Sequence, residues 1–123
     1  MSRTAEIARG FFSVLKDNSE AQQLLNHIQN TTIGFYTEDV EESFDLRIKE
    51  GNLSVVEVSD QSEEDVTIIA KRSNTFLNMF KVLGSSFSKT YVDGDILLRR
   101  KDESTPPKGY TWAGMLIRMA QGR

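Results

Sequence analysis

The sequence predicts an α+β fold: a five-stranded, mainly antiparallel sheet with helices packed on one face. Three observations predict it. Apolar residues recur at helical spacing over the first thirty positions and in two later stretches, they alternate with period two in between, and short acidic or glycine-containing turns join the first β-type runs. The 123 residues read as one domain spanning 1–123, with N-terminal helices in 1–30, a sheet over 32–100 carrying an inserted helix 73–84, and a C-terminal helix 111–121.

Each element has its own signal. Ile7, Phe11 and Leu15 fall at i, i+4, i+8 and predict a first helix. Ser19-Glu20-Ala21-Gln22 has capping-box spacing ahead of Leu24, Leu25 and Ile28, which predicts a second. Thr32 to Thr37 is a β-type run with Ile33 and Phe35 on one side, and the acidic Glu38 to Glu42 follows as a turn. Ser43 to Lys49 then alternates: Phe44, Leu46 and Ile48 point one way, whereas Ser43, Asp45, Arg47 and Lys49 point to what should be a wetted face.

Glu50-Gly51-Asn52 turns the chain into Leu53 to Val58, whose apolar residues occupy both phases, so this strand carries a bulge or is covered on both sides. Beyond the loop Asp60 to Asp65, Val66 to Lys71 is β-branched enough for a fourth strand. Ser73 can cap a helix bearing Phe76, Phe80 and Leu83, with Leu77 and Met79 widening its stripe and Gly84 ending it. Asp93-Gly94 leads into a fifth strand, Asp95 to Arg100. After Pro106 and Pro107, Thr111 can cap a last helix with Trp112, Met115, Leu116 and Met119 on one stripe.

Composition excludes whole classes of function. The chain has no cysteine, which removes disulfides, thiolate metal sites and a cysteine nucleophile. Apolar runs fall far short of a membrane span and no signal-peptide pattern opens the chain, so a soluble cytoplasmic protein is expected. His27 is the only histidine, and the carboxylates cluster in turns, so neither a metal site, a cofactor nor a catalytic residue is expected. Asp93-Gly94-Asp95 lacks the other ligands of a calcium loop, and no glycine-rich phosphate cradle occurs. Residues 1 to 66 carry 5 basic and 14 acidic side chains, whereas 67 to 123 carry 10 and 4, an asymmetry able to orient the molecule toward a charged surface. Arg99-Arg100-Lys101 suits an anionic headgroup or membrane; with few aromatics interleaved, nucleic acid is not expected as a partner.

Apolar side chains stand out instead: Phe76, Leu77, Met79, Phe80, Leu83 and Phe87 after the fourth strand, and Trp112, Met115, Leu116 and Met119 near the end. Such stripes are either core or the lining of an adaptable lipophilic cavity.

The order of segments adds to this. Phe44 to Gly51, the valine-rich Leu53 to Val58, Asp65-Val66-Thr67-Ile68, Ser73-x-x-Phe76-Leu77 and Gly94-Asp95-Ile96-Leu97-Leu98 follow one another in an order that resembles the sterol carrier protein type 2 family of lipid-binding domains. The likeness covers residues 43–100 by motif and roughly 32–121 by order of elements. It implies helices over one face of a five-stranded sheet, a hydrophobic tunnel between them, and a lipid or fatty-acyl-like ligand held without catalysis. By position, the tunnel lining falls on Phe76, Leu77, Phe80 and Leu83 and on Met115, Leu116 and Met119, with Phe35, Phe44 and Leu46 as floor. Lys101 to Tyr110 depart from the family by separating the last strand from the last helix, and the C-terminal Gln121-Gly122-Arg123 is not a peroxisomal tripeptide. The expected function is therefore lipid binding and transfer. Its rivals are an assembly module with a filled cavity, self-associating as a homodimer or binding a partner, and an enzyme that would need His27 and Asp45 together in a pocket.

Overall fold

Five strands form one sheet in the order β3-β2-β1-β4-β5 in the computed structural model, which describes residues 3–59 and 64–122. The strands are β1 (Thr31–Thr37), β2 (Glu42–Lys49), β3 (Asn52–Glu57), β4 (Val66–Ala70) and β5 (Ile96–Arg100). Three neighbouring pairs are antiparallel. The fourth, β1 with β4, is parallel (Ile33 opposite Val66, Phe35 opposite Ile68), so the chain leaves β3 at one edge and passes β2 and β1 before pairing again. The β2–β3 register runs unbroken from Lys49–Asn52 to Phe44–Glu57, without a bulge. Leu53 and Val55 pack toward the core and Val56 is half-buried, so β3 is partly covered on both faces.

The helices are α1 (Arg3–Ser13), continued by a 3-10 turn over Val14–Asp17, α2 (Ser19–His27), α3 (Ser73–Met79), α4 (Phe87–Val92) and α5 (Lys108–Ala120). Among the described residues no helix is long and apolar enough to cross a membrane. Burial follows the predicted alternation on the helix side: Ile33 and Phe35 of β1, Phe44, Leu46 and Ile48 of β2, and Ile68 of β4 form a core with Phe12, Leu15, Leu25, Phe76, Met79, Phe80, Leu116 and Ile117.

Four local expectations are corrected. Asn18, not Ser19, caps α2: its Oδ1 accepts from the Ala21 N–H at 3.0 Å. Ser73 is the first residue of α3 and not its cap; its N–H donates to the carboxylate of Asp39, in the β1–β2 turn, at 3.0 Å, so an exposed acid far away in sequence satisfies the helix end. The inserted helix does not run to residue 84. It stops at Met79, the chain folds back so that the Ser85 N–H reaches the Asn78 carbonyl at 3.1 Å, and α4 restarts behind Ser86, whose Oγ accepts from Lys89 N–H. Gly84 serves this fold-back, since a Cβ there would strike the Asn78 carbonyl oxygen. Finally, α5 starts at Lys108, ahead of Thr111, which lies exposed inside the helix. Gly109 permits close seating, because a Cβ there would lie 2.6 Å from Val66 Cγ2.

The sheet face opposite the helices is not uniformly wet. Asp45 is only 1% exposed, and Glu64, on the approach to β4, is buried with it. Asp45 Oδ1 and Glu64 Oε2 are both buried without a donor, which a proton shared between the two carboxyls supplies. Burial first, then the hydrogen bond and charge of Glu64, push Asp45 up to about 8; Arg47, 3.6 Å from Asp45 Oδ2, pulls the other way. The predicted loop Asp60 to Asp65 lies partly outside the described residues; Asp65 itself accepts the Thr32 N–H and donates its own N–H to the Thr32 carbonyl, both at 2.9 Å.

Candidate ligand-binding site

Phe35 and Phe44 stack across β1 and β2 with ring centroids 4.8 Å apart, Phe76 meets Phe35 edge-on at 5.3 Å, and Phe80 reaches Phe12 at 5.7 Å and Phe11 at 5.4 Å. The space between sheet and helices at this level is filled by phenylalanine side chains. Seven of the thirteen expected lining residues, Phe35, Phe44, Leu46, Phe76, Met79, Phe80 and Leu116, are therefore buried core. Leu77, Trp112 and Met119 are half-buried. Leu83 stands at 90% exposure in the turn between α3 and α4.

The remaining two, Phe87 and Met115, come together. They face a cleft of about 460 Å³ between α4 and α5, within the usual range for small-molecule sites. The local sequence makes this opening. Gly114 forms part of the lining, and a Cβ there would sit 3.1 Å from the Phe87 ring, so the missing side chain lets α4 approach while leaving a hollow. Ser86, Ser88 and Thr111 contribute hydroxyls and Arg118 the cation. The buried Gln121 donates from Nε2 to the carbonyls of Met79 at 2.7 Å and Ser85 at 3.1 Å, tying the end of α5 to both sides of the α3–α4 turn. Tyr110 also lines the cleft. Its hydroxyl is buried without a partner, and burial pushes its phenol up against the pull of Arg100 and Arg99.

Phe87 and Met115 give the cleft apolar walls and Arg118 a positive charge. Among the described residues its lining contains no histidine or carboxylate. His27 is exposed and borders a different hollow with Trp112, while Asp45 is buried against Glu64; the structure does not bring these two together. A second cleft, about 420 Å³, lies between α1, α2 and β3; Arg9, in its lining, donates to the Val55 carbonyl at 3.1 Å. Sequence reasoning missed Tyr110, Arg118 and Gln121 because their roles depend on where α5 begins. Gly114 was the available signal: a glycine inside a helical pattern often marks close approach.

A helix-covered mixed sheet with a largely apolar cleft between its last two helices defines an α+β domain with a candidate small-ligand site. The chain belongs to the SCP-2 sterol transfer family, whose family model matches residues 11–101. Among solved structures it is similar to a UbiJ-SCP2 ubiquinone synthesis protein (TM-score 0.68, 12% identity, 95% of this chain and 94% of that one). It is also similar to the sterol carrier protein domain 2 of Helicoverpa armigera (0.63, 16%, 93% and 87%) and to sterol carrier protein 2 from Yarrowia lipolytica in its apo form (0.59, 14%, 97% and 90%). At these identities the likeness is one of fold. No curated protein sequence matches the chain.

Proposed function

We propose that this chain binds a lipid without altering it covalently, the apolar part lying along Phe87 and Met115 and the polar end beside Arg118. The observation that carries the reading is the α4–α5 cleft itself, which joins apolar walls to the Arg118 cation in a member of the SCP-2 sterol transfer family. Each methylene moved from water onto such walls contributes about 0.8 kcal/mol, so an acyl or prenyl chain binds by transfer more than by shape and specificity is broad. The names of the similar structures put sterols and ubiquinone-type prenyl lipids among the cargoes to try.

Native mass spectrometry of the purified chain, followed by titration with a fluorescent fatty acid, tests this. A retained apolar mass and saturable fluorescence are expected. Met115 is 40% exposed, so Met115→Asp leaves the fold intact and abolishes both signals. A bare chain that ignores the fatty acid overturns carriage. The phenylalanine-filled interior favours one second reading, an assembly module. In that case Met115→Asp disperses an oligomer or partner complex while any lipid signal stays unchanged.

A further inference from the structure

We propose that the hollow between the start of α2, the end of α5 and the α3–α4 turn is a docking groove for a cationic amphipathic segment of a protein partner. The hollow measures about 760 Å³ and is separate from the α4–α5 cleft, with which it shares Gln121 alone among the described residues. Three elements supply its apolar part. Val14, in the turn that continues α1, is 53% exposed, Val82, in the α3–α4 turn, is 67% exposed, and Met119 of α5 is half-buried. Apolar side chains left this open around one concavity mark a contact surface. Hydrogen bonds hold its walls before any partner arrives. Gln121 Nε2 ties the end of α5 to the Met79 and Ser85 carbonyls on either side of Val82, and Gln22 Nε2 ties α2 to the Leu15 carbonyl at 2.9 Å. A groove fixed in this way loses little freedom on docking.

Charge selects the occupant. Asp17 and Glu20 line the hollow, and among the described residues its lining holds no cation and neither acid has an ion-pair partner. Basic residues close by along the chain are placed elsewhere: Lys16 lines the cleft between α1, α2 and β3, Lys81 Nζ donates to Asn78 Oδ1 at 3.2 Å, and Arg118 lines the α4–α5 cleft. Arg123 lies outside the described residues. An apolar hollow edged by two acids matches a helix whose aliphatic stripe is bordered by lysine or arginine. The stripe meets Val14, Val82 and Met119, and the cations meet Asp17 and Glu20. The same charges disfavour other occupants. Anionic headgroups are repelled, and a second copy docking through the same face brings Asp17 and Glu20 into one interface with their own duplicates. Because groove and cleft are separate, the docking stands whether or not the cleft carries cargo.

The test titrates the whole chain into a short fluorescein-labelled peptide of leucine and lysine in amphipathic helical pattern, read by fluorescence anisotropy. A control peptide carries glutamate in place of every lysine. The lysine peptide binds saturably and more weakly in added salt, and the glutamate peptide does not bind. Asp17→Lys/Glu20→Lys, at two exposed positions, lowers affinity for the lysine peptide about tenfold or more and lets the glutamate peptide bind. Val14→Ser/Val82→Ser, also at exposed positions, lowers it about tenfold or more, since two apolar contacts are lost. Gly114→Leu, which fills the α4–α5 cleft, leaves it unchanged. Fatty-acid binding retained by Val14→Ser/Val82→Ser separates docking from carriage. Absence of saturable binding, equal binding of the two peptides, or an affinity that either double variant leaves unchanged overturns the proposal. So does peptide binding lost in Gly114→Leu, which would place the peptide in the cleft. A dimer that Val14→Ser/Val82→Ser disperses in sedimentation also overturns it, by assigning the hollow to a second copy of the chain.

Discussion

Replacing Asp45 by asparagine should remove most of the pH dependence of folding above about pH 4. Asp45 is buried in β2 against Glu64 and holds its proton up to about 8, from an ordinary value of 3.8. Between those values the folded chain keeps a proton that the unfolded chain has released, so stability falls as pH rises. The contribution is fully present below about pH 4, declines through the window and is gone above about pH 8. Each unit is worth at most about 1.4 kcal/mol, which sets a ceiling of about 5 to 6 kcal/mol across the window, against a typical total of ~5–15 kcal/mol. The substituted carboxamide cannot titrate, and its NH2 group donates to Glu64 in place of the shared proton. Urea-denaturation midpoints measured from about pH 5 to about pH 8 should fall for the native sequence and stay nearly level for Asp45→Asn. A native midpoint that does not move, or a variant midpoint that falls as steeply, would refute the shared-proton account.

Two substitutions probe how α5 is seated. Gly109→Ala puts a Cβ 2.6 Å from Val66 Cγ2 and should cost about 1 to 3 kcal/mol, read as a lowered urea midpoint, because β4 and the helix start must part. Gly114→Leu fills the α4–α5 cleft from its floor. It should lower retention of fluorescent fatty acid to background while the thermal midpoint holds, the leucine gaining about 0.8 kcal/mol in helix propensity to offset a small shift of the Phe87 ring. Full cargo binding by this variant would place the ligand elsewhere.

Much of the sheet was legible because one strand reports its own burial. Phe44, Leu46 and Ile48 alternate with polar residues, and their side of β2 is the core. The inserted helix was only partly legible. Phe76 and Phe80 fit one stripe and are buried, but Leu83 and Phe87 continue the same spacing across a chain reversal that helical periodicity cannot register. Asp39 gave no sign of holding the start of α3, since the two are neighbours only after β1 and β4 pair in parallel. Of the site, Phe87 and Met115 were named from their residue type, whereas Tyr110, Arg118 and Gln121 needed the observed start of α5 and the turn that Gln121 clasps.

By itself the sequence determined the five strands and which face of β1 and β2 turns inward, because period-two alternation and turn chemistry act between residues close along the chain, and the order of its motifs carried the likeness to the family. Tertiary structure alone decided that Asp45 would be dry, that the phenylalanines would fill the space under the helices, and that a cleft would open between α4 and α5. Each of these depends on which distant segments come to lie together, such as Glu64 on β2 or α4 on α5, and local spacing carries no record of that.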